Sequence, residues 1–190
     1  MPTSVFFNNF QSSQEQLLIE SLIIESIQIY GHDVYYVPRI VRNKDQVYGN
    51  DPISEYQNSY FVEMYIKDVN GFKGEGDFLS KFNLQIRDEV TFTIARRTFF
   101  DNIGNTEAMA RPFEGDLIYF PLNQKVFVIK FVEHEAIFYQ LGALQTFDLV
   151  CELWEYSNER VNTGIPAIDE KAQSYSFDMA FYRFLTEDVY

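Results

Sequence analysis

The chain has 190 residues, 46% hydrophobic and 17% aromatic, with 19 Phe and 13 Tyr, enough to build one sizeable core without disulfides. Its 28 acidic residues outnumber 15 basic ones for a formal charge of −13, which argues against a protein that grips nucleic-acid phosphates through Lys and Arg. No run of about 18 apolar residues is present to span a bilayer as a helix, and the N-terminus lacks the basic region and apolar block of a secretory signal, so no membrane partner and a cytoplasmic setting are expected.

Ser12, followed three positions later by Glu15, has the capping-box pattern and opens a helix predicted over residues 12–30, with Gly31 where a left-handed cap is expected. Leu17, Leu18, Ile19, Leu22, Ile23, Ile24, Ile27 and Ile29 form a stripe that only Glu20, Ser21, Glu25, Ser26 and Gln28 interrupt. A helix apolar round most of its circumference needs cover on more than one side, from its own core and from a neighbouring subunit.

"HDVYYVPRIV" follows as a β-rich run in which Pro38 marks an edge strand or the exit from one. Residues 43–58, polar and holding Gly49 and Pro52, read as a long loop expected to contact a partner. Ser59 to Val69 alternates Tyr60, Val62, Met64 and Ile66 against Phe61, Glu63, Tyr65 and Lys67, the period of a strand with one dry and one mixed face. "NGFKGEGDF" is glycine-punctuated, but its spacing fits neither phosphate-binding fingerprint, and Glu75 and Asp77 would repel a phosphate. "NLQIRDEVTFTIARRTFF" resembles a pair of strands around Arg87-Asp88-Glu89, with Val90, Phe92 and Ile94 on one side and Thr91 and Thr93 on the other. Beyond it, Arg96, Arg97, Phe99 and Phe100 are expected on an exposed strand end, a composition suited to a partner surface.

"DLIYF" and "KVFVIKFVE" form a hairpin joined through Pro121 to Gln124, with Phe127, Ile129 and Phe131 on one face and Val126, Val128 and Val132 on the other. Apolar residues on both faces imply burial on both sides, at the centre of a small barrel or where a sheet meets a partner. "AIFYQLG" and "LQTFDLVCELWEYS" supply at least one further strand, and in the second run Cys151 alternates with Phe147, Leu149 and Leu153 and reads as a packing residue. "NTGIPAIDEKAQSYS" looks like a linker and "FDMAFYRFLTEDVY", with Tyr182 and Phe184, an aromatic arm that packs onto a neighbour. The expected fold is mainly β with one long N-terminal helix, an α+β arrangement whose core is a small antiparallel β-barrel or sandwich with extended loops and arms. Residues 1–157 form a single domain and 158–190 the linker and C-terminal arm.

No sequence signal singles out a catalytic centre. His32 and His134 lie about a hundred positions apart, with no HExxH, no Cys/His metal spacing and no GxSxG elbow, so no cofactor or metal is expected. Charge is uneven: no Lys or Arg precedes Arg39, and from Phe131 onward eleven acids face three bases, a net of −8. Such polarity suits docking between unlike surfaces.

"ESIQ" (Glu25 to Gln28), "YYVPR" (Tyr35 to Arg39), "YGND", "DEVT", "EGDLIYFPL" (Glu114 to Leu122) and "FYQLG" occur in this order between Leu17 and Tyr156. In them the chain resembles the neck, or head-completion, proteins of T-even-like contractile-tailed bacteriophages; its C-terminal end is shorter than that family's pattern. The resemblance implies a noncatalytic virion protein of the head–tail junction, made in the host cytoplasm. It would assemble as a homo-oligomeric, hexameric ring below the portal-bound adaptor ring and above the tail-terminator ring, with whisker fibres as further neighbours. It would enclose the genome without binding it specifically. The candidate interface residues are then Leu22 and Ile29 on the helix, Arg39 after the first strand, Arg96, Arg97, Phe99 and Phe100, and Tyr182 and Phe184 in the arm. A tail-terminator ring protein, or a carbohydrate-binding or hydrolytic β-domain, are the alternatives.

Overall fold

The computed structural model describes residues 12–42, 54–70, 89–133, 144–156 and 159–173. Helix α1 (Ser13–Tyr30) leads into strand β1 (His32–Val37), followed by β2 (Glu55–Tyr56), β3 (Tyr60–Asn70) and β4 (Glu89–Ala95). The helical turns α2 (Arg96–Phe99) and α3 (Asn105–Glu107) flank a π-helical turn, Phe100–Gly104; then come β5 (Leu117–Phe120), β6 (Lys125–Glu133), β7 (Thr146–Leu153) and β8 (Arg160–Val161). A last helix, α4, covers residues 166–173.

Six strands close into a barrel in the order β1-β3-β4-β7-β6-β5, every neighbouring pair antiparallel. The expected α+β fold with a small barrel is therefore what forms. β1 is not an edge strand, since it pairs with β3 on one side and β5 on the other; Pro38, lacking an N–H, stands just past its end. The alternation expected in β3 and β4 holds, with Val62, Met64, Val90, Phe92 and Ile94 all buried in the barrel interior.

The hairpin forms from β5 and β6 across Pro121 to Gln124, where Gln124 takes a left-handed φ of 54° and the Asn123 side chain accepts from the Lys125 N–H at 2.9 Å. Its face assignment needs one correction. The β6–β7 register shifts between Ile129 and Phe131, so beyond the bulge it is Val132 that joins Phe127 and Ile129 inside, while Phe131 turns outward.

All four residues of β5 are buried, as a strand covered on both faces requires. Ile118 and Phe120 enter the barrel core, while Leu117 and Tyr119 enter a second cluster outside the barrel with Val37, Tyr56, Val126 and Ile168. The outer cover comes from stretches read in the sequence as loop and linker. β2 pairs in parallel with β8, and α4 seats Ile168 and Ala172 in buried positions. Asp169 holds the turn ahead of α4, its Oδ1 accepting from the Thr163 N–H and hydroxyl at 2.9 Å each and its Oδ2 from the Gly164 N–H at 3.0 Å. Polar composition hid a folded layer of Ile and Val spaced among charged residues.

Two readings of local geometry also change. Ser12 makes no side-chain capping bond, and Gly31 is extended (φ −79°, ψ 173°) rather than left-handed. Glycine is required at 31 because the chain passes so close: a Cβ there would sit 2.4 Å from the Ile27 carbonyl oxygen and 3.0 Å from that of Met64. Residues 96–104 are helical, not a strand end. The Arg96 N–H gives β4 its last bond to the Gln145 carbonyl (2.9 Å), after which Phe99 and Ile103 enter the barrel core. Residues 43–53, the glycine-punctuated stretch, Arg87, Asp88, His134, "FYQLG" and the aromatic arm lie outside the described residues.

Candidate assembly interface

Helix α1 packs its Ile23, Ile24 and Ile27 side against the outer surface of β3 and β4, leaving two open clefts beside it. One, about 380 Å³, is lined by Ile23, Ile27, Tyr30, Tyr65 and Thr93. The other, about 370 Å³, lies between Ile24 and Gln28 on one wall and Arg97, Thr98, Asp101 and Asn102 on the other, over Phe61. The helix is apolar on its free side too. Leu17, Leu18, Leu22, Ile29 and Tyr30 all remain more than half exposed, with Leu22 at 53% and Ile29 at 67%. Phe61 and Tyr65 on β3, in the clefts that flank the helix, are partly exposed as well.

The other candidate residues divide. Arg96 and Arg97 are exposed, and Arg97 Nε stands 3.8 Å from Asp101 Oδ2 on the next turn. Phe100 is exposed beside them. Phe99 is not exposed as expected: it is fully buried, edge-on to Tyr36 (5.5 Å between ring centroids) and Phe147 (6.2 Å). Helical geometry turns the two neighbours about 100° apart, one inward and one to the surface. Tyr182 and Phe184 lie outside the described residues. Phe61 and Tyr65, which the sequence put on the mixed face of β3, lie on the side of that strand against which α1 packs.

Arg39 links two motifs. Its backbone N–H donates to Asp116 Oδ1 at 2.7 Å and its Nε to the Ser54 hydroxyl at 2.8 Å. The Tyr36 hydroxyl and the Phe113 N–H (3.1 Å) both donate to Asp116 Oδ2, and the Tyr56 hydroxyl donates to the Gly115 carbonyl at 2.9 Å. "YYVPR" and "EGDLIYFPL" are thus one buried polar joint tying β1 to the approach of β5. Burial pushes the Asp116 carboxyl up to about 6 against the pull of its three donors, and burial with the neighbouring carboxylate holds the Tyr36 hydroxyl well above its ordinary value. Outside the barrel, Phe61, Tyr35 and Tyr119 stand in register across β3, β1 and β5 as a row of rings 5.2 and 6.2 Å apart.

Among the described residues no group of three His, Cys, Asp or Glu is placed to hold a metal ion, and no helix is long and apolar enough to cross a membrane. His32 packs edge-on to Phe120 at 5.6 Å. Cys151 is fully buried, and burial raises its thiol far above the range in which a thiolate forms.

No solved structure matches the chain. The family model described as virus neck protein, of the T4 neck-protein type, matches residues 3–185. The chain belongs to this family.

Proposed function

We propose that this structural protein of the phage neck builds one ring of the head–tail junction, a hexamer stacked between the portal-bound adaptor and the tail terminator, which closes the DNA-filled head and presents the platform on which the tail docks. The family match across nearly the whole chain carries this reading. Three features suit it. A closed barrel has no free sheet edge and gives a stiff frame; α1 carries apolar residues on its outward as well as its inward side; and the buried charge of Asp116 serves the fold rather than chemistry. Membership in a family of structural neck proteins fits a noncatalytic role acting through shape and surface.

The charge of −13 suits a channel wall. Carboxylates facing the lumen would repel phosphates and let the genome slide rather than adhere. An electron-microscopic comparison of wild-type lysates with lysates lacking the protein tests the reading. Filled or leaking heads separated from finished tails are the expected result; intact heads with defective tails would favour the tail terminator instead.

A further inference from the structure

We propose that the outward face of α1 docks an amphipathic helix of a different virion protein, apolar along one side and carrying two Lys or Arg about 15 Å apart; this rests on the neck reading above. The spacing of the face carries the first step. Glu15, Leu18, Leu22, Glu25 and Ile29 follow one another at three, four, three and four residues, the seam along which one helix packs on another. They lie on the side opposite buried Ile27, and each is exposed. The serines beside the seam have their protons engaged within the helix, Ser21 donating to the Leu18 carbonyl (2.7 Å) and Ser26 to that of Ile23 (2.8 Å).

The two glutamates decide what the partner is. They stand within the seam, and no described residue pairs with them. Covering the seam takes both carboxylates out of water, which is tolerable only if each meets a cation. A second copy offers no helix that meets this condition: α2 has its two arginines adjacent and α4 has Lys171 alone, while in residues 43–53 Lys44 stands alone and in residues 71–88 Lys73, Lys81 and Arg87 are eight and six positions apart. Nor does α1 itself meet it. A parallel pair sets Glu15 on Glu15 and Glu25 on Glu25; an antiparallel pair centred on Leu22 sets Glu25 against Leu18 and Glu15 against Ile29, leaving both charges unpaired. The helix itself carries no Lys or Arg. Neither end segment of this chain suits the seam: residues 1–11 carry no basic residue, and residues 174–190 carry one, Arg183, against Asp178, Glu187 and Asp188. Ten residues of α-helix rise about 15 Å, so the complementary helix places its two cations that far apart, with apolar residues between them to meet Leu18 and Leu22.

The test uses the full-length chain in assembled particles, with a benzophenone amino acid at Leu22, irradiation, and mass-spectrometric mapping of the adduct. The expected adduct joins position 22 to a helix of another virion protein that bears two basic residues at that spacing. Glu15→Lys with Glu25→Lys, on exposed positions, should lower the melting temperature by only a few degrees, through the charge reversed in the first turn of α1, and cut incorporation into particles by about tenfold or more. Particles that contain the chain but show position 22 linked only to a second copy, to residues 1–11 or 174–190, or to nothing overturn the partner assignment, as does a doubly substituted chain incorporated at the wild-type level. Particles lacking the wild-type chain altogether contradict the neck reading itself, and the proposal falls with it.

Discussion

Tyr36 and Asp116, eighty positions apart, meet in the interior where the Tyr36 hydroxyl donates to the Asp116 carboxylate. Each sits in one of the two most distinctive strings of the sequence, and the contact explains why both strings exist. Asp116 gathers the N–H groups of Arg39 and Phe113 as well, so the chain leaving β1 and the chain entering β5 are held to a single carboxylate. Removing the hydroxyl leaves a buried acceptor short of a partner, so Tyr36→Phe should lose about 1–3 kcal/mol in urea unfolding with little change in the slope of the transition.

The same carboxyl sets a pH dependence. Burial raises Asp116 in the folded chain to about 6, whereas the unfolded aspartate titrates near 3.8. As pH falls through 6 the folded state takes up a proton that the unfolded state does not, so this group's contribution to stability rises between pH 7 and pH 5 and is complete below 3.8. Relative to Asp116→Asn, which has no proton to gain, the wild type should gain about 1 kcal/mol over that interval; a gap that shrinks as pH falls would show the sign to be wrong.

Phe99 and Phe100 are adjacent in the chain but opposite in exposure. Phe99→Ala empties part of the barrel core between Tyr36 and Phe147 and should cost about 3–5 kcal/mol. Phe100→Ala should stay within about 0.5 kcal/mol of wild type, as a surface change does. Thermal melts of the two variants side by side check the assignment.

Gly115 has a φ of 96°, and a Cβ there would stand 2.9 Å from Arg39 Nη1 and 3.1 Å from its Cδ. Gly115→Ala therefore combines a strained backbone with displacement of the Arg39 side chain, and a loss of about 1–3 kcal/mol is expected. Gly164→Ala shares the positive φ, 76°, but meets nothing within 4 Å, so its loss should be the smaller of the two. Chemical denaturation of both variants separates backbone strain from crowding.

α4 and β8 cover β5, so Ile168→Ala should destabilise by about 2–4 kcal/mol despite lying in a polar stretch. A loss below 0.5 kcal/mol would return residues 158–173 to the status of a linker.

Much of the barrel was legible because strand period is a strong local signal: Val62 and Met64 against Phe61 and Tyr65, or Val90, Phe92 and Ile94 against Thr91 and Thr93. The failures lie where tertiary contacts override local pattern. The β6 bulge exchanges Phe131 for Val132 because of its pairing with β7. Arg96 to Gly104 leaves the sheet because Phe99 and Ile103 find space inside the barrel. Gly31 is dictated by the approach of the Met64 carbonyl, which no helix-capping rule contains. Of the candidate interface, the exposed side of α1 was legible from its excess of apolar residues, while the clefts over Phe61 and Tyr65 depended on where the helix lay across β3.

A reconstruction of the head–tail junction in intact particles tests the central claim most directly. The account predicts this barrel as a ring of copies between portal-bound adaptor and tail terminator, with α1 in contact with a neighbouring chain. Density for the chain at any other position in the particle, or copies at the junction with the α1 face bare to solvent, would contradict it.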